Sequence, residues 1–168
     1  NRQEAAAFID SIGNSSLNGD ITWFETAELA LDDVLDKPDF YDIVVCDYLL
    51  PGITGLELFE KIKSKIAIPF IIQTGAGIES YAIMALKAGV DDYIIKDVMQ
   101  GYLNIVPVII PQVINNYNAR RAHEQSARKL YASEQKLKSI IDTAIDAMIS
   151  IDFKKKIVLW NHAAEEIF

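Results

Sequence analysis

Apolar residues fall into two kinds of pattern along this chain. Short uninterrupted runs of β-formers, Ile43 to Cys46, Ile68 to Ile72 and Tyr93 to Ile95, are too brief for helices, and the first stops at Pro51-Gly52. They predict strands buried on both faces, as in a parallel sheet covered by helices. Ile21-Thr-Trp-Phe24 predicts one more strand, after a turn at Asn14 to Gly19. Between these runs the apolar positions recur every three or four residues. Residues 2–12 carry Ala5, Phe8, Ile9 and Ile12 as one helical stripe. Thr26 caps a helix from Ala27 to about Asp36, and Gly55 opens another with Leu56, Leu58, Phe59 and Ile62 as its buried face. A helix of small residues from about Ile78 to Lys87 stops at Gly89, a usual C-terminal cap. Strands and helices alternate with short connections. That implies parallel pairing in a doubly wound α/β sandwich.

From about Asn104 the pattern becomes one long helix. Pro107 falls in its first turn, where proline is tolerated, and Pro111 is expected to kink it. Ala127, Leu130, Glu134, Leu137, Ile141 and Ala144 then alternate by three and four residues, a heptad-like seam. It fits a parallel two-stranded coiled coil, or a single exposed helix whose last turns pack on the next domain.

Composition narrows the class. The 168 residues are 51% hydrophobic and 24% charged, as expected of one full globular domain and part of another. No apolar run is long enough to span a bilayer, so no membrane segment is expected. The lone cysteine, Cys46, lies in a predicted buried strand, which fits a reducing, cytoplasmic setting. Residues 1–100 hold 17 acidic and 7 basic side chains, an acidic balance that excludes general nucleic-acid binding.

Three predicted strand ends bring chemistry to one sheet edge: Asp47, Thr74 and Lys96. In open α/β sheets that carboxyl edge is where ligands collect. A carboxylate there is a cation ligand, a nucleophile toward phosphorus, or a cap for the next turn. With a hydroxyl and a lysine beside it, it becomes a phosphoryl-handling constellation.

These residues carry a resemblance. Asp47 in Val-Cys-Asp-Tyr-Leu-Leu-Pro-Gly, Thr74 in Ile-Gln-Thr-Gly, the run Lys87-Ala-Gly-Val-Asp-Asp-Tyr93, and Lys96 in Tyr-Ile-Ile-Lys make residues 1–100 similar to the response-regulator receiver domain of two-component signalling, with its CheY-like (flavodoxin-like) fold. The resemblance implies that Asp47 accepts a phosphoryl group from a histidine kinase or phosphotransfer protein. It implies that Asp47 and the Leu49 carbonyl help hold Mg²⁺, that Thr74 and Lys96 contact the phosphoryl oxygens, and that Tyr93 is the switch residue. Two departures stand out. Asp97 follows the lysine where the family usually has proline. The family's first strand and the acidic pair ending it are missing ahead of Asn1, so further acidic metal ligands are expected upstream in a longer chain. His123, in Ala-His-Glu-Gln, lacks the residues of a kinase phosphoacceptor helix and reads as an exposed polar position.

Residues 101–144 are then expected to form the last receiver helix, extended as a linker that could make a homodimer. Residues 145–168 resemble the opening of a PAS sensory domain. Met148 to Ile151 and Ile157 to Trp160 would be its first hairpin, Lys154-Lys155-Lys156 the turn, and Asn161 to Phe168 the next helix. Two rivals are carried forward: a phosphorylation-independent interaction module on the same fold, and a flavodoxin-like cofactor domain using Thr74-Gly-Ala-Gly77 as a phosphate cradle.

Overall fold

The computed structural model describes residues 2–15, 17, 19–75 and 79–168. It divides into two units, Asn1–Asn118 and Ala119–Phe168. The first opens with α1 (Arg2–Gly13) and α2 (Ala27–Asp36), then β1 (Val44–Asp47), α3 (Gly55–Lys63), β2 (Phe70–Gly75), α4 (Glu79–Ala88) and β3 (Asp92–Lys96). A 3₁₀ turn (Gly101–Asn104) leads into α5 (Val106–Asp142), which ends within the second unit.

The three strands form a parallel sheet in the order β1-β2-β3. Period-two alternation gives it two faces. Phe70 and Ile72 pack with Leu58, Phe59 and Ile62 of α3, while Ile71 and Ile94 pack with Ile12 of α1 and with Val106, Ile110 and Val113 of α5. Both faces are therefore covered by helices, which is why the strand sequences are apolar throughout rather than alternating.

The elements begin as local chemistry dictates. The Thr26 side chain accepts the Leu29 amide at 3.4 Å, so the expected cap of α2 is in place. Thr54 and Glu57 form a reciprocal capping box at the start of α3, Thr54 N donating to Glu57 Oε2 at 2.7 Å and Glu57 N to Thr54 Oγ1 at 3.2 Å. Gly89 ends α4 with φ +96°, a conformation open to glycine and costly to other residues. Pro107 does stand in the first turn of α5, and the helix continues through Pro111.

Two expectations need correction. Ile21 to Phe24 is not a strand; among the described residues β1 pairs only with β2, and a strand exists only where a neighbour completes its ladder. The second predicted strand runs later than its apolar run, over Phe70–Gly75, because Pro69 has no N–H to offer a ladder and only its carbonyl is used, accepting Val44 N at 2.9 Å. The loop proposed as a phosphate cradle includes Ala76 and Gly77, and the start of the small-residue helix includes Ile78; these lie outside the described residues.

In the second unit, β4 (Ile149–Ile151) and β5 (Ile157–Trp160) form an antiparallel hairpin followed by α6 (His162–Ile167). Lys155 occupies the turn with φ +61°, a left-handed position. Along α5 every residue from Ala119 to Ile140 is exposed, including Leu130 and Leu137 of the heptad-like seam.

Candidate phosphoacceptor site

The sheet's carboxyl edge brings Asp47 and Lys96 together. Lys96 Nζ lies 2.6 Å from Asp47 Oδ2 and 3.5 Å from Glu4 Oε2 on α1. The lysine side chain is mostly buried and the Asp47 side chain about a third exposed. Burial pulls the Lys96 ammonium toward deprotonation, but the hydrogen bond and charge of Asp47, with Glu4 behind, more than offset it and leave the pKa above the ordinary lysine value.

Register explains the pairing. Asp47 is opposite Gln73, Gln73 opposite Ile94, and Gly75 opposite Lys96. In parallel strands, partners in register share a face, so Asp47, Gln73, Gly75 and Lys96 line the side covered by α1 and α5. Thr74, 2% exposed, points to the other face, which Tyr93 shares at the register position of Ile72. The expected constellation is thus divided. The acid and the lysine touch, whereas Thr74 and Tyr93 lie together on the reverse side of the same strand ends. Leu49, two residues past Asp47, stands in an exposed loop bridged to Thr54.

The backbone around Asp47 is packed closely. A Cβ built on Gly55 would lie 2.5 Å from the Asp47 carbonyl oxygen and 2.9 Å from Cys46 Sγ, so only glycine fits under this loop. Tyr48, the next residue, stacks on Tyr81 of α4 with ring centroids 4.2 Å apart. Burial, and then the Asp47 charge, push the Cys46 thiol's pKa far up.

Glu4 was not singled out from sequence, and Asp97 stood out there only as a departure from the family's pattern. Glu4 adds a second carboxylate near Lys96. Asp97 uses Oδ1 to accept the Tyr102 amide at 2.9 Å, so the residue that replaces the family's proline caps the 3₁₀ turn leading into α5. An Asp five residues before a buried aromatic, with glycine between, was the available signal. A cavity of about 360 Å³ lies along β1, bordered by Glu4, Phe8, Ile12, Asp47, Lys96 and Tyr102.

The site offers the carboxylates of Asp47 and Glu4 and the ammonium of Lys96. Its hard oxygen donors suit Mg²⁺ that keeps several waters and takes only one or two carboxylates from the protein. Among the described residues no three His, Cys, Asp or Glu side chains converge as an all-protein metal cage. The donor set fits a hydrated cation. Elsewhere, His162 is exposed beside Glu165 and Glu166, each 3.5 Å away, and His123 lies in the exposed stretch of α5.

Fold and site together define a doubly wound α/β domain with an acid–lysine pair at the carboxyl edge of its sheet. The chain belongs to the response regulator receiver domain family, whose model matches residues 2–105, and residues 135–168 match the PAS fold. Among curated relatives, the response regulator ArlR of Staphylococcus epidermidis is 39% identical over 69 residues, 41% of this chain and 31% of that protein. The regulatory protein VanR of Enterococcus faecium is 40% identical over 73 residues, 44% of this chain and 31% of its own. The chain therefore spans about a third of the length of these relatives. Among solved structures, a response regulator receiver domain protein from Clostridium thermocellum aligns with TM-score 0.51 at 25% identity, over 71% of this chain and 86% of that one. The response regulator domain of Thermotoga maritima CheB has the same fold, with TM-score 0.56 at 17% identity over 68% and 88% of the two chains. Among the described residues no helix is long and apolar enough to cross a membrane.

Proposed function

We propose that residues 1–100 are a phosphorylation switch in a cytoplasmic two-component relay, with Asp47 as phosphoacceptor. The observation that carries this reading is the 2.6 Å contact between Lys96 Nζ and Asp47 Oδ2 at the carboxyl edge of a parallel sheet. Phosphoryl transfer needs alignment and charge neutralisation more than covalent help. A carboxylate oxygen of Asp47 forms the new O–P bond as the P–N bond of a phosphohistidine breaks, and the imidazole leaves with that electron pair and takes a proton. The donor is a histidine kinase or a phosphotransfer protein. Mg²⁺, held by Asp47 and the Leu49 carbonyl, would neutralise phosphoryl charge when bound. Lys96, already charged and held at Asp47, turns to a phosphoryl oxygen once the product forms. The Thr74 hydroxyl approaches another oxygen, and Tyr93, on the face Thr74 shares, moves into the space it leaves. Residues 101–144 then act as a linker helix to a PAS sensory segment at 145–168, and the exposed seam of α5 joins two copies of the chain.

Intact mass after exposure to acetyl phosphate tests the reading. An adduct of one phosphoryl group that needs Mg²⁺ and is lost in Asp47→Asn supports it. No adduct on folded protein would turn the reading to a phosphorylation-independent interaction module.

A further inference from the structure

Gln73 follows directly on an apolar run, Ile68-Pro-Phe-Ile-Ile72, and lies within the middle strand of the sheet. Among the described residues its side-chain Nε2 is buried without a hydrogen-bond partner. Native proteins leave few buried donors unpaired, and removing such a group from water without a partner is costly. A leucine would satisfy this position better for packing alone, since Ile71 on the same face is fully buried among apolar neighbours. The amide therefore invites a functional explanation.

Its placement supplies one. Gln73 is the register partner of Asp47 on β1, and both side chains lie on the face covered by α1 and α5. Lys96, on β3, reaches Asp47 by crossing β2 at Gly75, the next position along this face from Gln73. Gln73 thus stands on the strand between those that carry the acid and the lysine, and it borders the same cavity as Asp47 and Lys96. Lys96 donates to Asp47 Oδ2, whereas Gln73 Nε2 reaches neither Asp47 oxygen and is left without an acceptor among the described residues. A phosphoryl group on Asp47 brings three oxygens, each able to accept more than one hydrogen bond, so Lys96, Thr74 and a bound Mg²⁺ leave acceptor capacity for a further donor.

We propose that Gln73 is a further catalytic residue of this site, its side-chain amide donating through Nε2 to an oxygen of the phosphoryl group on Asp47. This rests on the phosphoacceptor reading. The donor is preorganised, because Nε2 is already out of water before phosphorylation and needs only its acceptor to arrive. The arrangement also exchanges stability for function: the unpaired amide weakens the resting fold and is satisfied in the phosphorylated one.

The test compares wild type, Gln73→Leu, Gln73→Met and Asp47→Asn with acetyl phosphate and Mg²⁺, reading adduct formation by intact mass and fold by urea unfolding. Both Gln73 variants are expected to unfold at higher urea than wild type while forming the adduct about tenfold more slowly or more, as loss of one preorganised donor does elsewhere. The side-chain ¹⁵N–¹H signals of Gln73, assigned by their loss in Gln73→Leu, should shift on phosphorylation of wild type and stay in place in Asp47→Asn. Wild-type rates in both Gln73 variants, or amide signals that do not move although the adduct forms, would overturn the proposal and leave the phosphoacceptor reading intact. No adduct on wild type would overturn both.

Discussion

Lys96 and Asp47 stand on β3 and β1, yet their charged atoms are 2.6 Å apart across the whole width of β2. Two strand spacings amount to roughly 9.5 Å, so the lysine must lie nearly extended along the sheet edge to make this contact. Gly75, its register partner on β2, raises no side chain in the way. The cation is thus delivered to the carboxylate before any phosphoryl group arrives. Lys96→Met keeps the aliphatic stem and removes the charge. It should fold and slow acetyl-phosphate labelling of Asp47 by roughly ten- to a hundredfold, the effect of losing a charged hydrogen bond worth about 1.5–3 kcal/mol. Labelling rates followed by intact mass decide this; an unchanged rate would show the contact to be structural.

Gly55 sets propensity against sterics. Alanine is the better helix former by about 1 kcal/mol, and Gly55 is the first residue of α3. The added Cβ would meet the Asp47 carbonyl oxygen at 2.5 Å and the Tyr48 Cα at 3.2 Å, and neither backbone atom can rotate away. Gly55→Ala should therefore destabilise by about 1–3 kcal/mol, the range for overpacking, despite its propensity. Urea unfolding measures this, and labelling should fall with it because the displaced atom belongs to Asp47, the proposed phosphoacceptor.

Asp97 makes the resting loop after Lys96 pH-dependent. The Tyr102 amide, and then that of Gly101, hold its carboxyl below its ordinary value of 3.8. A carboxylate depressed in the folded state contributes stability above its unfolded pKa and loses it as pH falls through the folded value. Asp97→Asn retains an acceptor but not the charge. Wild type should be the more stable of the two at neutral pH, and the difference should vanish as pH falls below about 4. A gap unchanged down to about pH 3 in urea titrations would count against this role.

The parallel sheet was legible because strands buried on both faces must be apolar at every position, as Ile43–Cys46 and Tyr93–Ile95 are. Thr26 and Gly89 were legible because caps are local. Pairing is not local, so Ile21–Phe24 carried strand composition with no ladder to join. Which face Thr74 takes depends on strand register, and the division of the site between two faces therefore lay beyond a reading of spacing. Gln73 seemed only to end an apolar run. Asp97 registered as a departure from a family pattern, and the bond that explains it reaches five residues ahead.

Asn161 shows the same limit in the second unit, where it seemed only to open a helix. It is fully buried, and its side chain makes four hydrogen bonds. Oδ1 accepts the amides of Met148 at 2.7 Å and Ala164 at 3.1 Å, while Nδ2 donates to the carbonyls of Ile141 at 3.0 Å and Asp146 at 2.9 Å. One amide thus ties the end of α5, the approach to β4 and the start of α6. Asn161→Asp keeps both acceptor contacts and turns the two donor contacts into oxygen facing oxygen. Asn161→Ala leaves all four backbone groups to seek water. Each unmade buried bond costs about 1–3 kcal/mol, so both variants should melt the hairpin and α6 before the receiver. Fluorescence of Trp160, beside the site, in Trp23→Phe protein reports on this unit alone. Coincident unfolding of both units at the wild-type midpoint would refute it.

The seam on α5 gives the last prediction. Leu130 is 62% exposed and Leu137 58% exposed, seven residues apart on one helical face. A helix with its apolar face exposed over this length has little to hold it, since most helical stability in proteins comes from burying such a face. A second copy, packed in parallel, would cover both leucines with Ile141 and would set the two Glu134 side chains on the same seam. Glu134 should then be the weak point. At neutral pH the paired carboxylates repel, so Glu134→Leu should tighten the dimer and Leu137→Glu should dissociate it. Sedimentation equilibrium of the three proteins reads this directly. A wild type that stays monomeric, with Glu134→Leu no different, would leave α5 as a single exposed linker and remove the dimer from the signalling scheme.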